Sequence, residues 1–232
     1  MNRVLAAGLF VMAAVAASVG ARAGEPASPA APEGKIHWAE HFDRPSIGWL
    51  DPFNHDAGEL KKVYGFAGDG TRHFLHARHD ATSRDRPPAM HFGKAFTEGA
   101  ASLETVKELR WKWRALKHPA VGDDAWEDMA AGIYVVIKQP SMLVGGKGFK
   151  FGWLAKPGKA GQRQHGLLEV ERRHDAAGPE WKSESVDLCA LYRQVYGACE
   201  GEKVLYVGVV SDADGTRSVA EADYADFELV TR

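Results

Sequence analysis

Tryptophans and carboxylates are the side chains of this 232-residue chain that could do chemistry. An exposed indole offers a flat apolar surface on which the C–H face of a sugar ring stacks. Trp49, Trp126, Trp153 and Trp181 are candidates for that role, joined by Asp123 and Asp124 beside Trp126. Trp111 and Trp113 share one face of an alternating run and read as core. Asp212-Ala-Asp-Gly-Thr216 sets two carboxylates two residues apart on a turn. Hard cations accept that geometry, and a solvated turn shows the same pattern. The 12-residue ligand pattern of an EF-hand is absent. Glu169 and Glu171 share one face of a strand, about 6–7 Å apart, and could act as paired acids or simply face solvent. His73, His76 and His79 recur every third residue, but on a strand His76 and His79 face opposite sides and do not converge on a metal. There is no Gly-x-Ser-x-Gly elbow and no phosphate-binding glycine loop. The two cysteines, Cys189 and Cys199, are spaced too widely for a Cys-x-x-Cys redox pair. They read as a structural disulfide, worth about 3 kcal/mol on the loop-entropy model.

The elements that must position these residues are strands. Leu109 to Ala115 alternates, with Leu109, Trp111, Trp113 and Ala115 on one face and Arg110, Lys112 and Arg114 on the other. Ala130 to Ile137 is almost wholly apolar, the pattern of a central strand covered on both sides. Phe149, Phe151 and Trp153 share a face of the next strand. Leu167–Arg173 and Trp181–Val186 follow. One helix interrupts them: Asp187 caps it, Leu188, Leu191, Tyr192 and Val195 repeat at helical spacing, and Gly197 stops it. Lys203–Asp212 and Ser218–Arg232 flank an Asp-Gly turn and read as an antiparallel pair. Ala222 to Val230 is expected to pair with the opening strand, Ile36 to Phe42. Ala225, Phe227 and Leu229 would then face the core, and Tyr224, Asp226 and Glu228 the other side. Many strands, one short helix and Gly/Pro/Asp-rich turns predict a mostly β fold, an antiparallel β-sandwich.

Met1-Asn-Arg3, the apolar run Val4–Gly20 and the small-x-small triplet Ala21-Arg-Ala23 form a secretory signal, 1–23, predicting cleavage before Gly24. No cysteine follows the cut to carry a lipid. Residues 24–34 are Pro/Ala-rich and read as a flexible leader, leaving 35–232 as the domain. The 29 Lys and Arg, less Arg3 and Arg22, face 31 Asp and Glu, a balance of −4. That charge excludes a strongly basic nucleic-acid binder. No later segment is long and apolar enough to span a bilayer, so a periplasmic or secreted protein is expected.

Four segments resemble the domain-of-unknown-function 3047 family of exported bacterial proteins. They are Leu109-Arg-Trp-Lys-Trp-Arg114; Gly122-Asp-Asp124 leading into Ala130-Ala-Gly-Ile-Tyr-Val-Val136; Phe151-Gly-Trp-Leu154; and Ser211-Asp-Ala-Asp-Gly-Thr216 with Ala220-Glu-Ala-Asp-Tyr-Ala-Asp-Phe227. The resemblance implies a jelly-roll sandwich similar to carbohydrate-binding modules and galactose-binding-like domains, and it supplies no activity. Glu40-His-Phe-Asp43 with Gly48-Trp49, and Tyr224-Ala-Asp-Phe227, look like the paired first and last strands of such modules. By analogy a structural calcium could bridge Glu40 or Asp43 to Asp226; no other cofactor is expected. Cys189 and Cys199 are additions of this chain. The expected function is a non-catalytic module binding carbohydrate or cell-envelope glycan. The alternative is a glycan hydrolase or lyase using acids such as Asp123, Asp124, Glu169 and Glu171.

Overall fold

The computed structural model describes residues 34–44, 48–51, 57–96, 101–139, 145–159, 161–164 and 166–232. The expected signal and nearly all of the expected leader, 1–33, lie outside them. Residues 34–232 make one unit. In chain order its elements are β1 Lys35–Glu40, α1 Ala57–Val63, β2 Tyr64–Gly68, β3 His73–Asp80, β4 Phe92–Ala95, β5 Val106–Lys117, β6 Met129–Lys138, β7 Lys147–Trp153, β8 Arg163–Gln164, β9 Leu167–Arg173, β10 Lys182–Val186, α2 Leu188–Tyr196, β11 Tyr206–Asp212 and β12 Val219–Thr231.

The strands form a β-sandwich of two six-stranded sheets. The first runs β10-β5-β12-β3-β2, with β1 also pairing β12; the second runs β4-β11-β6-β7-β9-β8. Among the described residues these strands pair antiparallel except β7 with β9, which are parallel. The core between the sheets follows the alternation of the strands. Leu109, Trp111, Trp113 and Ala115 of β5 meet Phe149, Phe151 and Trp153 of β7. Trp111 lies 5.4 Å from Phe151 and Trp113 5.7 Å from Trp153, centroid to centroid.

Three expectations are corrected. β11 and β12 are not a hairpin: β11 lies between β4 and β6, and β12 between β5 and β3. The Asp-Gly segment between them therefore crosses from sheet to sheet. Asp128 fixes that crossing, accepting from the amides of Gly215 (3.1 Å) and Thr216 (2.7 Å). A second short helix, α1, precedes β2, so the fold has two helices among the described residues. The alternation of β12 also breaks at Asp226, which takes a left-handed φ of 50° where the register with β5 shifts between Ala225 and Glu228. The extra residue reverses the facing of every residue before it. Phe227 and Leu229 face the core as expected, and so does Tyr224, which is fully buried.

The opening and closing strands pair as expected, Lys35 with Thr231 through to Glu40 with Phe227. Asp187 caps α2 by accepting from the Ala190 amide at 2.8 Å, and Gly197 follows with φ 97°. Cys189 and Cys199 are disulfide-bonded, tying the first turn of α2 to the chain just past its end.

The outward face of the first sheet is laced with ion pairs. Asp223, buried, accepts from Arg114 Nε at 2.7 Å and meets His76 Nδ1 at 2.7 Å. The Asp223 hydrogen bond raises the His76 imidazole above its ordinary value, with Glu221 acting in the same direction and Arg78 against it. A raised folded-state value means that this stabilisation is complete below the unfolded histidine value and is lost as pH rises through the folded one. The melting-temperature gap between the native chain and His76→Asn should thus be largest at about pH 6 and shrink toward about pH 9. A gap that does not change over that range would show that His76 does not titrate with folding.

Candidate functional site

The structure places the four candidate tryptophans in different surroundings. Trp49 is buried among Phe42, Phe92 and Phe227, with centroids 5.0 to 5.7 Å away. Trp153 is buried against Trp113, its indole N–H donating to the Asp175 carbonyl at 3.0 Å. Strand alternation, which puts Trp153 beside Phe149 and Phe151, drives it inward. Neither ring presents a surface to a sugar, which corrects that expectation. Trp126 is also buried, but against the outer face of the second sheet. Trp181 is half-buried on the outer face of the first sheet, with the Arg114 and Arg72 guanidiniums 4.6 and 4.9 Å from its ring and Phe74 at its edge.

The expected calcium bridge does not assemble. Asp226 is held by cations: Lys112 at 3.0 Å, His41 at 3.1 Å and Arg72 at 3.8 Å. A carboxylate so neutralised has little charge left for a metal. Glu40 is buried and accepts from the Phe42 amide at 2.7 Å, while Asp43 is exposed. The carboxylates that do converge among the described residues are Asp128, Asp212 and Asp214, with ligand oxygens within 4.8 Å of one another. Two of them stood out in the sequence; Asp128 is brought to them from the far end of the β5–β6 connection. Burial, and then Asp212, push the Asp214 carboxyl up. Beside them buried His79 accepts from the Ala213 amide through Nδ1 and donates to the Pro87 carbonyl through Nε2.

The outer face of the second sheet holds a buried ion pair. Strand pairing sets Gly93, Gly208, Tyr134, Lys150 and Glu169 in one row across β4, β11, β6, β7 and β9. Gly152, on the next row, lets Trp126 lie flat on the sheet: a Cβ there would come 2.7 Å from the indole ring. Tyr206 lies over Gly208 in the same way, where a Cβ would come 2.3 Å from the tyrosine hydroxyl. Lys150 is buried and lies 5.6 Å from the Trp126 ring and 5.9 Å from that of Tyr134. It donates to the Trp126 carbonyl at 3.2 Å, to Gln164 Oε1 at 3.0 Å and to Glu169 Oε1 at 3.4 Å. Burial pushes the Lys150 amine down and the Glu169 carboxyl up, and their mutual attraction opposes both shifts.

Three polar atoms on this face have neither solvent access nor a hydrogen-bond partner among the described residues: Glu169 Oε2, the Tyr206 hydroxyl and Trp126 Nε1. Buried polar atoms are nearly always paired, so such a group calls for a specific cause. Of the expected acids, Asp124 and Glu169 come together here, both acting on Lys150. Asp124 accepts from the Trp126 amide at 3.0 Å and from Gln162 at 2.9 Å. Glu171 shares the face of Glu169 but accepts from the Gly158 amide and meets His174. Asp123 is exposed and contributes its backbone carbonyl to Lys156. The sequence reading missed Lys150, Tyr134 and Tyr206. Lys150 is the lone charge in the apolar run Phe149–Leu154, and that was the signal available.

No family model matches the chain, and no curated protein matches it. Among solved structures, the K1 cleaved adhesin domain of the Lys-gingipain of Porphyromonas gingivalis W83 aligns with 83% of this chain and 96% of its own, at 13% identity and a TM-score of 0.38. A likeness of that size carries no functional argument. Among the described residues no helix is long and apolar enough to cross a membrane.

Proposed function

We propose that the chain is an exported, non-catalytic module that binds carbohydrate, such as a cell-envelope glycan, on the outer face of the second sheet. The observation that carries this reading is the pair of orphaned polar atoms on that face, Glu169 Oε2 and the Tyr206 hydroxyl. A sugar, with hydroxyls that donate and accept, can supply the partners such atoms lack. The signal pattern and the Cys189–Cys199 disulfide support export. Retention of the exported protein on immobilised polysaccharides and peptidoglycan tests the reading. Tyr206→Phe, which removes an unpaired hydroxyl and leaves the ring, should weaken retention without lowering the melting temperature. No retention on any of these matrices overturns the reading; retention that Tyr206→Phe leaves unchanged moves the site off this face.

A second reading is favoured by the buried Glu169 carboxyl beside the Lys150 amine. Glycan hydrolases and lyases both use carboxyl groups as general acids or bases. Release of new reducing or unsaturated ends from a retained polysaccharide would establish it in place of simple binding.

A further inference from the structure

We infer that β2 pairs antiparallel with β2 of a second copy of this chain, joining the two first sheets into one. The inference stands apart from the glycan reading. An edge strand presents unpaired backbone N–H and C=O groups, and natural sheets guard such edges with charge, short length or cover. The other edges among the described strands are guarded. β10 carries Lys182 and Glu184, and β1 carries Lys35 and Glu40. β8 has two residues, one of them Arg163. β4 carries Lys94, and its Gly93 exchanges both backbone hydrogen bonds with Leu50, at 2.8 and 3.0 Å. β2, Tyr-Gly-Phe-Ala-Gly, has no charged side chain and pairs only β3 among the described residues. Gly65, Phe66 and Gly68 are exposed, Phe66 by 41%. A Cβ on Gly65 would meet nothing within 4 Å.

A second copy fits this edge by charge. β2 lies between exposed Lys61 and Lys62 in the last turn of α1 and exposed Asp69 just past its own end. Phe66 is its middle residue, so antiparallel pairing over the whole strand sets Phe66 against Phe66 of the second copy and Tyr64 against Gly68. Lys61 and Lys62 of each copy then approach Asp69 of the other. Parallel pairing would set like charges side by side, which is unfavourable. Glu59, the other charge on α1, meets Lys62 at 2.5 Å, and Arg72 beyond Asp69 is turned to Asp226 and the Trp181 ring. Gly65 and Ala67 add no bulk that would hold the second strand away, and facing Phe66 rings form an aromatic cross-strand pair. The two-fold axis of such a pair is perpendicular to the sheet, so both copies turn the outer face of the second sheet to the same side. On the glycan reading, one polymer could then engage both.

Sedimentation velocity of the exported protein from about 1 to about 300 μM tests the inference. Five residues make a short interface, so a monomer–dimer equilibrium with a dissociation constant on the order of 10 μM is expected. Phe66→Lys and Gly65→Lys put charge on the edge at exposed positions, and each should weaken dimerisation by about tenfold or more without lowering the melting temperature of the monomer. Lys61→Glu with Lys62→Glu sets acid against Asp69 of the second copy and should weaken it by about threefold or more. A protein that stays monomeric throughout overturns the inference, even if β2 then takes up a foreign extended peptide. So does a dimer that neither lysine variant weakens. A dimer that the glutamate pair leaves unchanged overturns the antiparallel register. Retention of a strictly monomeric protein on polysaccharide would leave the glycan reading standing while this inference falls.

Discussion

Phe227→Ala is expected to cost about 3–5 kcal/mol of folding stability. Phe227 is fully buried where the closing strand meets the opening one, and its ring lies 5.7 Å from Trp49, 6.0 Å from Phe42 and 6.5 Å from Trp38. Four aromatic rings converge there, and a missing phenyl would leave a cavity among them. β1 and β12 hold their ends of the chain in register, so the cavity would persist. A loss of that size is a large part of the total stability of an ordinary domain. Chemical denaturation measures it directly. A variant that unfolds like the native chain would mean that β12 is not packed as described.

Glu169→Ala is the second large effect, with about 3–5 kcal/mol expected. Removing the carboxylate leaves Lys150 buried against the Trp126 and Tyr134 rings with its counter-charge gone. A buried ion pair need not stabilise on balance, since both charges give up their water. The double replacement Lys150→Met with Glu169→Leu should therefore recover most of the loss. The double-mutant cycle separates the cost of a stranded charge from any net benefit of the pair. A single variant within about 0.5 kcal/mol of native, the range of an ordinary surface change, would show that Lys150 escapes to solvent.

The two results bear on different parts of the molecule. The Phe227 ring belongs to the core between the sheets, whereas Lys150 and Glu169 lie outside it, on the face proposed to bind a ligand. Stability lost at the second position while Tyr206→Phe loses only retention would separate the polar network's structural role from its binding role.

Much of this architecture was legible in the sequence because it is local. The period-two alternation of Leu109–Ala115 and Phe149–Trp153 placed their large rings on one side, and the structure buries them there. The cap at Asp187, the stop at Gly197 and the paired cysteines each depend on residues within one helix length, and each is found as read. The pairing of the first strand with the last was expected from resemblance and not from the local pattern, and the structure pairs them. What failed depended on a single inserted residue or on which sheet a strand joins. Asp226 forms a bulge only because β5 and β12 pair out of step there, so nothing near it in sequence announced that Tyr224 would turn inward. The β11–β12 turn has hairpin chemistry, yet its strands are central to different sheets.

The candidate site follows the same division. The sequence by itself determined that Trp126, Asp124 and Glu169 exist beside alternating strands, and that Glu169 and Glu171 share a face. Only the tertiary structure decided that β7 and β9 lie side by side in parallel, which brings Lys150 opposite Glu169 from across a long connection. It also decided that Trp126 covers Gly152 and is closed off from solvent, and that Asp226 is surrounded by lysine, histidine and arginine instead of other carboxylates. The physical reason is range. Side-chain alternation and capping are set by neighbours along the chain, whereas charge pairing and burial are set by neighbours across a sheet, which register and topology choose.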